Sequence, residues 1–190
     1  TNQEELENMK ATGIVRRVDE LGRLVIPKEI RRTMRLAEGT PLEIFTDREG
    51  QIILKKYSPM MELGSFAKQY AESVAQTMNQ KVAVSDRDQI IAVAGGGKRE
   101  LLGKTISRQL EEMIINRENS IQAGLDKKTI PLISGDEDSY SAQAIYPICC
   151  EGDCIGAVIL YSRENQTHFS ETEYKAAACA ASFLGKQMEG

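Results

Sequence analysis

The 190-residue sequence predicts a mixed fold: a small dimerising module of β-hairpins around one helix, then an α+β domain with an antiparallel sheet and packed helices. Three observations carry that prediction. Charge is divided along the chain, −3 over residues 1–8, +4 over residues 9–57 and −5 over residues 58–190, within a net charge of −4. Within the first 57 residues, two stretches of apolar residues, each broken by turn chemistry, flank a short basic segment. Beyond residue 58 the apolar pattern becomes one of helices interspersed with strands. A basic head on an acidic body suggests a binding module joined to a domain with another task.

Residues 1–8 carry no apolar period; they read as a tag remnant or a frayed arm and stand outside the fold argument. From Ala11 to Val18 β-branched residues recur, Asp19-Glu20-Leu21-Gly22 supplies a turn, and Leu24-Val25-Ile26 resumes the apolar run, which predicts strand, turn and strand. Pro27 suits the first turn of a helix, where its missing N–H has no partner to lose. In that helix Lys28, Arg31, Arg32 and Arg35 fall at i, i+3, i+4 and i+7 on one face, with Ile30 and Met34 on the other and Gly39 as the stop beyond. Leu42 and Ile44, then Ile52-Ile53-Leu54, form a second hairpin across Asp47-Arg48-Glu49-Gly50. Residues 9–57 contain no cysteine and can bury only a modest core, so the module is expected to pair with a second copy, arms exchanged across a two-fold axis.

Ser58 and Pro59 can cap and open a connecting helix over residues 58–79, whose apolar stripe is Leu63, Phe66, Ala67, Tyr70, Ala71, Val74 and Met78. Residues 80–190 then predict strands at Val82–Ser85 and Ile90–Ala94, and a helix burying Ile106, Leu110, Met113 and Ile114. Further strands are predicted at Ile130–Ile133, Ala142–Cys149 and Cys154–Tyr161. A last helix opens on the capping box Ser170-Glu171-Thr172-Glu173 and buries Tyr174, Ala177, Ala178, Ala181 and Leu184.

Several functions are disfavoured. No run of 18 apolar residues and no secretion leader are present, so a cytoplasmic protein without a membrane partner is expected. Cys149, Cys150, Cys154 and Cys179 lack zinc-ligand spacing, His168 is the single histidine, and the cysteines read as core or surface thiols. Gly97, Gly103, Lys104 and Thr105 approach a phosphate loop but place five residues between the glycines where four are needed, so Gly95-Gly96-Gly97 reads as a connection with positive φ. Neither a nucleophile elbow nor a carboxylate pair accompanies His168, so no enzyme and no cofactor are expected.

The run from Met9 through Val25-Ile26-Pro27-Lys28-Glu29-Ile30-Arg31-Arg32, continued by Leu42-Glu43-Ile44-Phe45 and Ile53-Leu54-Lys55-Lys56-Tyr57, resembles the AbrB-type swapped-hairpin DNA-binding domain of bacterial transition-state regulators. The resemblance implies a β-barrel-like dimer interleaved from two chains, with double-stranded DNA met by Arg16, Arg17, Arg23, Arg31 and Arg32. Lys28, and below it Arg35, join this set on the helical stripe alone. Arg16 and Arg17 are neighbours on a strand and reach one duplex together only at a twisted end or across a dimer groove. The basic helix carries no Asn or Gln for bidentate pairing with adenine, so phosphate contacts and DNA shape are the expected means of recognition.

The element order after residue 80, with Gly-Asp-Cys-Ile-Gly-Ala-Val-Ile-Leu at 152–160, is similar to a GAF domain, a sensory fold that often binds small molecules. The chain from Met9, including Tyr57-Ser58-Pro59 and Glu62-Leu63-Gly64, resembles a family of sporulation transcription factors that join these two domains. That resemblance implies a homo-oligomer, a tetramer built through both domains, acting as activator and repressor late in spore development. It leaves room for an unidentified small-molecule ligand in the GAF-like domain, or for a domain that only oligomerises. The competing reading is an antitoxin-like protein-interaction module of related swapped-hairpin fold, which predicts a disordered acidic tail after the head.

Overall fold

In the computed structural model residues 12–58, 60, 64–121, 128–136, 140–165 and 167–189 are described, and the chain divides into two units, Thr1–Lys56 and Tyr57–Gly190. Unit 1 holds helix α1 (Lys28–Thr33) and the antiparallel hairpin β1 (Leu42–Thr46) and β2 (Ile52–Lys56), in register from Leu42↔Lys56 to Thr46↔Ile52. Asp47 shapes its turn by accepting from the N–H groups of Glu49 and Gln51 at 2.9 and 2.8 Å.

Unit 1 departs from expectation twice. Thr12–Val18 and Arg23–Ile26 form no paired strands among the described residues. Only their turn closes, with the Asp19 N–H donating to the Arg23 carbonyl at 3.0 Å. Val15 and Val25 stay 82% and 71% exposed, so among the described residues these arms find neither a ladder nor a closed core. The basic helix ends at Thr33, well before Gly39, because Arg35 takes the left-handed conformation, φ +52°. Arg35 therefore lies off the stripe that its spacing predicts.

Unit 2 contains α2 (Gly64–Met78), β3 (Lys81–Asp86), β4 (Ile90–Ala94), α3 (Lys98–Leu101), α4 (Arg108–Ile115), β5 (Ala142–Cys150), β6 (Asp153–Ser162) and α5 (Glu171–Gln187). Its sheet runs β4-β3-β6-β5, antiparallel throughout. Both faces are covered, which explains why the strands read as continuous apolar runs rather than alternating ones. On one face α2 and α5 pack small residues, Ala67, Ala71, Ala75, Ala177, Ala180 and Ala181, over Val82, Val84, Ala144, Val158 and Leu160. On the other, Leu101, Ile106, Leu110, Met113, Ile114 and Leu132 fill the space over Ala83, Ile145, Ile159 and Tyr161.

The capping box forms as its spacing predicts: Thr172 N–H donates to Ser170 Oγ, and the Ser170 N–H to Glu173 at 2.7 Å. Partial burial would raise the Glu173 carboxyl, but hydrogen bonds from the Ser170 hydroxyl and N–H outweigh it and hold the group below its ordinary value. Other expectations are corrected. Ile130–Ile133 makes only an isolated bridge, Ile133 to Ile106. Phe66 is 48% exposed and Ala178 half-buried. The Ser58 hydroxyl donates to Asp86 Oδ2 at 2.9 Å, and the first-turn residues it is expected to cap, 59 and 61–63, lie outside the described residues. Pro59, Leu63 and residues 1–8 lie outside the described residues. Two cysteines are not free thiols: Cys149 and Cys154, opposed across the β5–β6 hairpin, are disulfide-bonded. No helix among the described residues is long and apolar enough to cross a membrane.

The near-miss phosphate loop has a packing explanation. A Cβ on Gly97 would lie 2.6 Å from the Tyr161 hydroxyl, and one on Gly95 would overlap the Gln80 carbonyl. The glycines answer to close approach of backbone and side chain.

Candidate nucleic-acid interface

Three elements of unit 1 carry the basic residues. Lys28 opens α1, and Arg31 and Arg32 occupy its last turn, where cations meet the negative end of the helix. All three are exposed. The helix is short but well closed: Arg31 N–H donates to the Pro27 carbonyl at 2.9 Å, and Leu36 N–H to the Arg31 carbonyl at 2.7 Å. Pro27 is buried and serves as the N-cap, so the start of α1 is fixed and its basic end faces solvent.

Arg16 and Arg17 sit on the first arm, both exposed. They diverge, as strand neighbours do. Arg16, whose Nη1 donates to the Val15 carbonyl at 3.4 Å, lines an apolar cleft of about 290 Å³; Arg17 does not. Ile14, Leu24, Ile30, Met34, Leu42 and Leu54 also line it, which brings the arms, α1 and the β1–β2 hairpin to one place. Ile30 and Met34 thus face this cleft while the cations of α1 face water.

Arg23 is set differently. It leaves a turn in which Gly22 takes φ +73°, and its Nε donates to Asp19 Oδ2 at 2.8 Å. Asp19 Oδ1 accepts from the N–H groups of Leu21 and Arg23 at 3.0 and 2.8 Å. The Arg23 N–H, then its guanidinium, then the Leu21 N–H hold the Asp19 carboxyl below its ordinary value. Sequence reasoning missed Asp19. Its signal was Asp, Gly and Arg at i, i+3 and i+4, the spacing of a side chain closing its own turn.

A cation-rich turn and helix end beside an uncovered apolar cleft suit polyanion contact by an assembly rather than by a lone chain. The relatives agree in kind. The model of the stage V sporulation protein T C-terminal, transcription factor, matches residues 62–189, and stage V sporulation protein T of Bacillus subtilis (strain 168) is 50% identical over 181 residues, 95% of this chain and 99% of that one. The chain belongs to the stage V sporulation protein T family. It is therefore a transcription factor of sporulation, and the family resemblance read from the sequence holds over 95% of this chain. The transition state regulatory protein AbrB of the same organism is 66% identical over 53 residues, 28% of this chain and 54% of AbrB. Residues 15–61 also match the MazE model, an antidote-toxin recognition family of bacterial antitoxins. For the second unit, the GAF domain of an Acinetobacter phosphoenolpyruvate-protein phosphotransferase aligns with TM-score 0.52 at 14% identity, covering 70% of this chain and 84% of that one. That likeness is one of fold: an antiparallel sheet with helices on it.

Proposed function

We propose that the chain binds double-stranded DNA as a homodimer whose unit 1 hairpins interleave, and that Arg16, Arg17, Arg23, Lys28, Arg31 and Arg32 touch the duplex. Residues 9–57 act as the DNA-binding domain, 58–79 as the connector and 80–190 as a GAF-like domain that extends the oligomer to a tetramer or senses a small molecule. It works in the cytoplasm as activator and repressor of late sporulation genes and has no catalytic role. The observation that carries this reading is the exposed basic end of α1 beside apolar arms that pair with no strand among the described residues. Swapping the arms covers Val15, Val18, Leu24 and Val25 and sets two copies of the basic surface side by side.

Replacing Arg31 or Arg32 by Ala in the full chain should weaken binding to duplex DNA and reduce the slope of log affinity against log salt by about one for each phosphate no longer neutralised. Affinities measured between low and moderate salt test this, and an unchanged slope with unchanged affinity would falsify the assignment.

The match to the antitoxin family over residues 15–61 favours a second reading, a toxin-binding module. That reading requires a tail that stays disordered until it wraps its target. Residues 57–190 instead bury two apolar clusters on a four-stranded sheet, which supports the first.

A further inference from the structure

We propose that Asp19 is a positioning residue for DNA recognition: its carboxylate grips Arg23 through Nε and aims the two terminal guanidinium nitrogens at a bidentate acceptor on the duplex. The inference rests on the DNA-binding reading and extends it to a residue that carries the wrong charge for phosphate.

The geometry of the turn supports it. A guanidinium offers one N–H at Nε and two pairs at Nη1 and Nη2, arranged as a rigid fork. Asp19 takes Nε alone, at 2.8 Å, and Arg23 makes no other side-chain hydrogen bond among the described residues. Both Nη groups thus remain available on a side chain that is 70% exposed. Arg23 and Asp19 side chains are 70% and 42% exposed, so the pair is worth little as a surface salt bridge, and folding alone does not account for it. The grip has a rigid base. Asp19 Oδ1 is held by two backbone N–H groups of the same turn, and the Asp19 N–H and carbonyl bond to the Arg23 carbonyl and the Gly22 N–H at 3.0 and 2.9 Å. A free arginine has several rotors to immobilise on binding; one anchored at Nε has already lost most of that freedom.

The acceptor pair that matches this fork is either the O6 and N7 edge of guanine in the major groove or two oxygens of one phosphate. The first makes Asp19 a determinant of sequence preference, and the second a determinant of affinity on any duplex. We assign the first, since a buttressed fork on a turn is suited to an edge that must be met in plane, whereas phosphate tolerates an unanchored cation.

The test uses the full chain and Asp19→Asn, which keeps an acceptor for the two backbone N–H groups and removes the anion from Nε. Duplexes enriched by the unmodified chain from a random-sequence pool are the probe, and an unrelated duplex of equal length is the reference. Asp19→Asn should lower the preference for the enriched duplex over the reference about tenfold, while leaving the unfolding midpoint unchanged. In an Arg23→Ala background the same change should have no effect on that preference, because there is nothing left to aim. An unchanged preference, an equal loss on both duplexes, or a loss that persists without Arg23 would overturn the assignment. If the chain retains no duplex from the pool even at low salt, the DNA-binding reading falls; retention without enrichment removes the guanine assignment alone. Enrichment that Arg31→Ala abolishes and Asp19→Asn does not touch removes the positioning role alone.

Discussion

Tyr161 is 2% exposed, and its hydroxyl donates to the Gly96 carbonyl at 3.1 Å, at the point where Gly97 has no room for a Cβ. Nearby, Arg163 pairs with Glu100 at 2.9 Å and Asp136 at 3.4 Å, lies over the Tyr140 ring at 4.8 Å, and donates to the Tyr140 hydroxyl at 3.0 Å. Burial, with a smaller push from Glu100 and against the pull of Arg163, raises the Tyr161 hydroxyl to about 12 from an ordinary 10; burial also raises Tyr140. Because the folded state holds the proton more tightly, this contribution to stability is complete below pH 10 and is lost as pH climbs through about 12. An alkaline titration followed by phenolate absorbance should show a late-ionising fraction among the six tyrosines, reduced by one residue in Tyr161→Phe. If Tyr161→Phe leaves the late fraction as it was, the burial argument for this residue fails. None of this network was legible from composition or period, since Arg163, Glu100 and Asp136 meet only when the sheet is formed. Arg31 and Arg32, by contrast, were legible, because helical spacing alone puts them together. Arg35 was misplaced by the same rule, which cannot foresee a left-handed residue that is not glycine.

The β5–β6 hairpin shows how an element can be read correctly while its chemistry is missed. Its two apolar runs and the Glu151-Gly152-Asp153 turn were plain in the sequence, but its register was not. Ile148 faces Gly156, and continuing that register would set Cys150 opposite Cys154. An irregularity between Ile148 and Cys149 shifts the pairing by one residue, and Cys149 takes that place instead. Cys149 is thereby bonded to Cys154, and Cys150 and Cys179 remain as thiols. Spacing alone could not choose between the two partners, and the expectation of four thiols followed from composition. Alkylation of the unfolded but unreduced full chain, read by mass, should therefore find two free thiols, and four after reduction. Cys150→Ser should keep the bond and leave one free thiol. Cys149→Ser should weaken the hairpin by about 2 kcal/mol, the scale set by closing so short a loop. Four reactive thiols before reduction would mean that the bond does not form.

At the scale of the molecule the two units differ in how complete they are. Unit 2 closes on itself: both faces of its sheet are covered, and Ile90, Ile106, Leu110, Ile159 and Leu160 are fully buried. Unit 1 does not close. Ile44 and Ile52 on its hairpin are 66% and 71% exposed, and its arms line a cleft with apolar walls. Several large apolar side chains exposed together on so small a unit mark a surface that is meant to be covered. The smallness of residues 9–57 already implied this in the sequence, and the open arms give it an address. In the arrangement proposed above a second copy is the occupant, so folding of unit 1 should depend on concentration while that of unit 2 need not. Sedimentation of the full chain at micromolar concentration should show a dimer or larger assembly. Introducing charge by Val25→Asp with Ile44→Asp should dissociate the unit 1 pairing and abolish DNA binding, since the cations of one chain are then separated from those of the other. The late-ionising tyrosines of unit 2 provide an internal control: they should persist in that variant, which separates loss of assembly from general unfolding. A wild-type chain that sediments as a monomer and still binds duplex DNA would remove the need for a second copy, and with it the swapped arrangement.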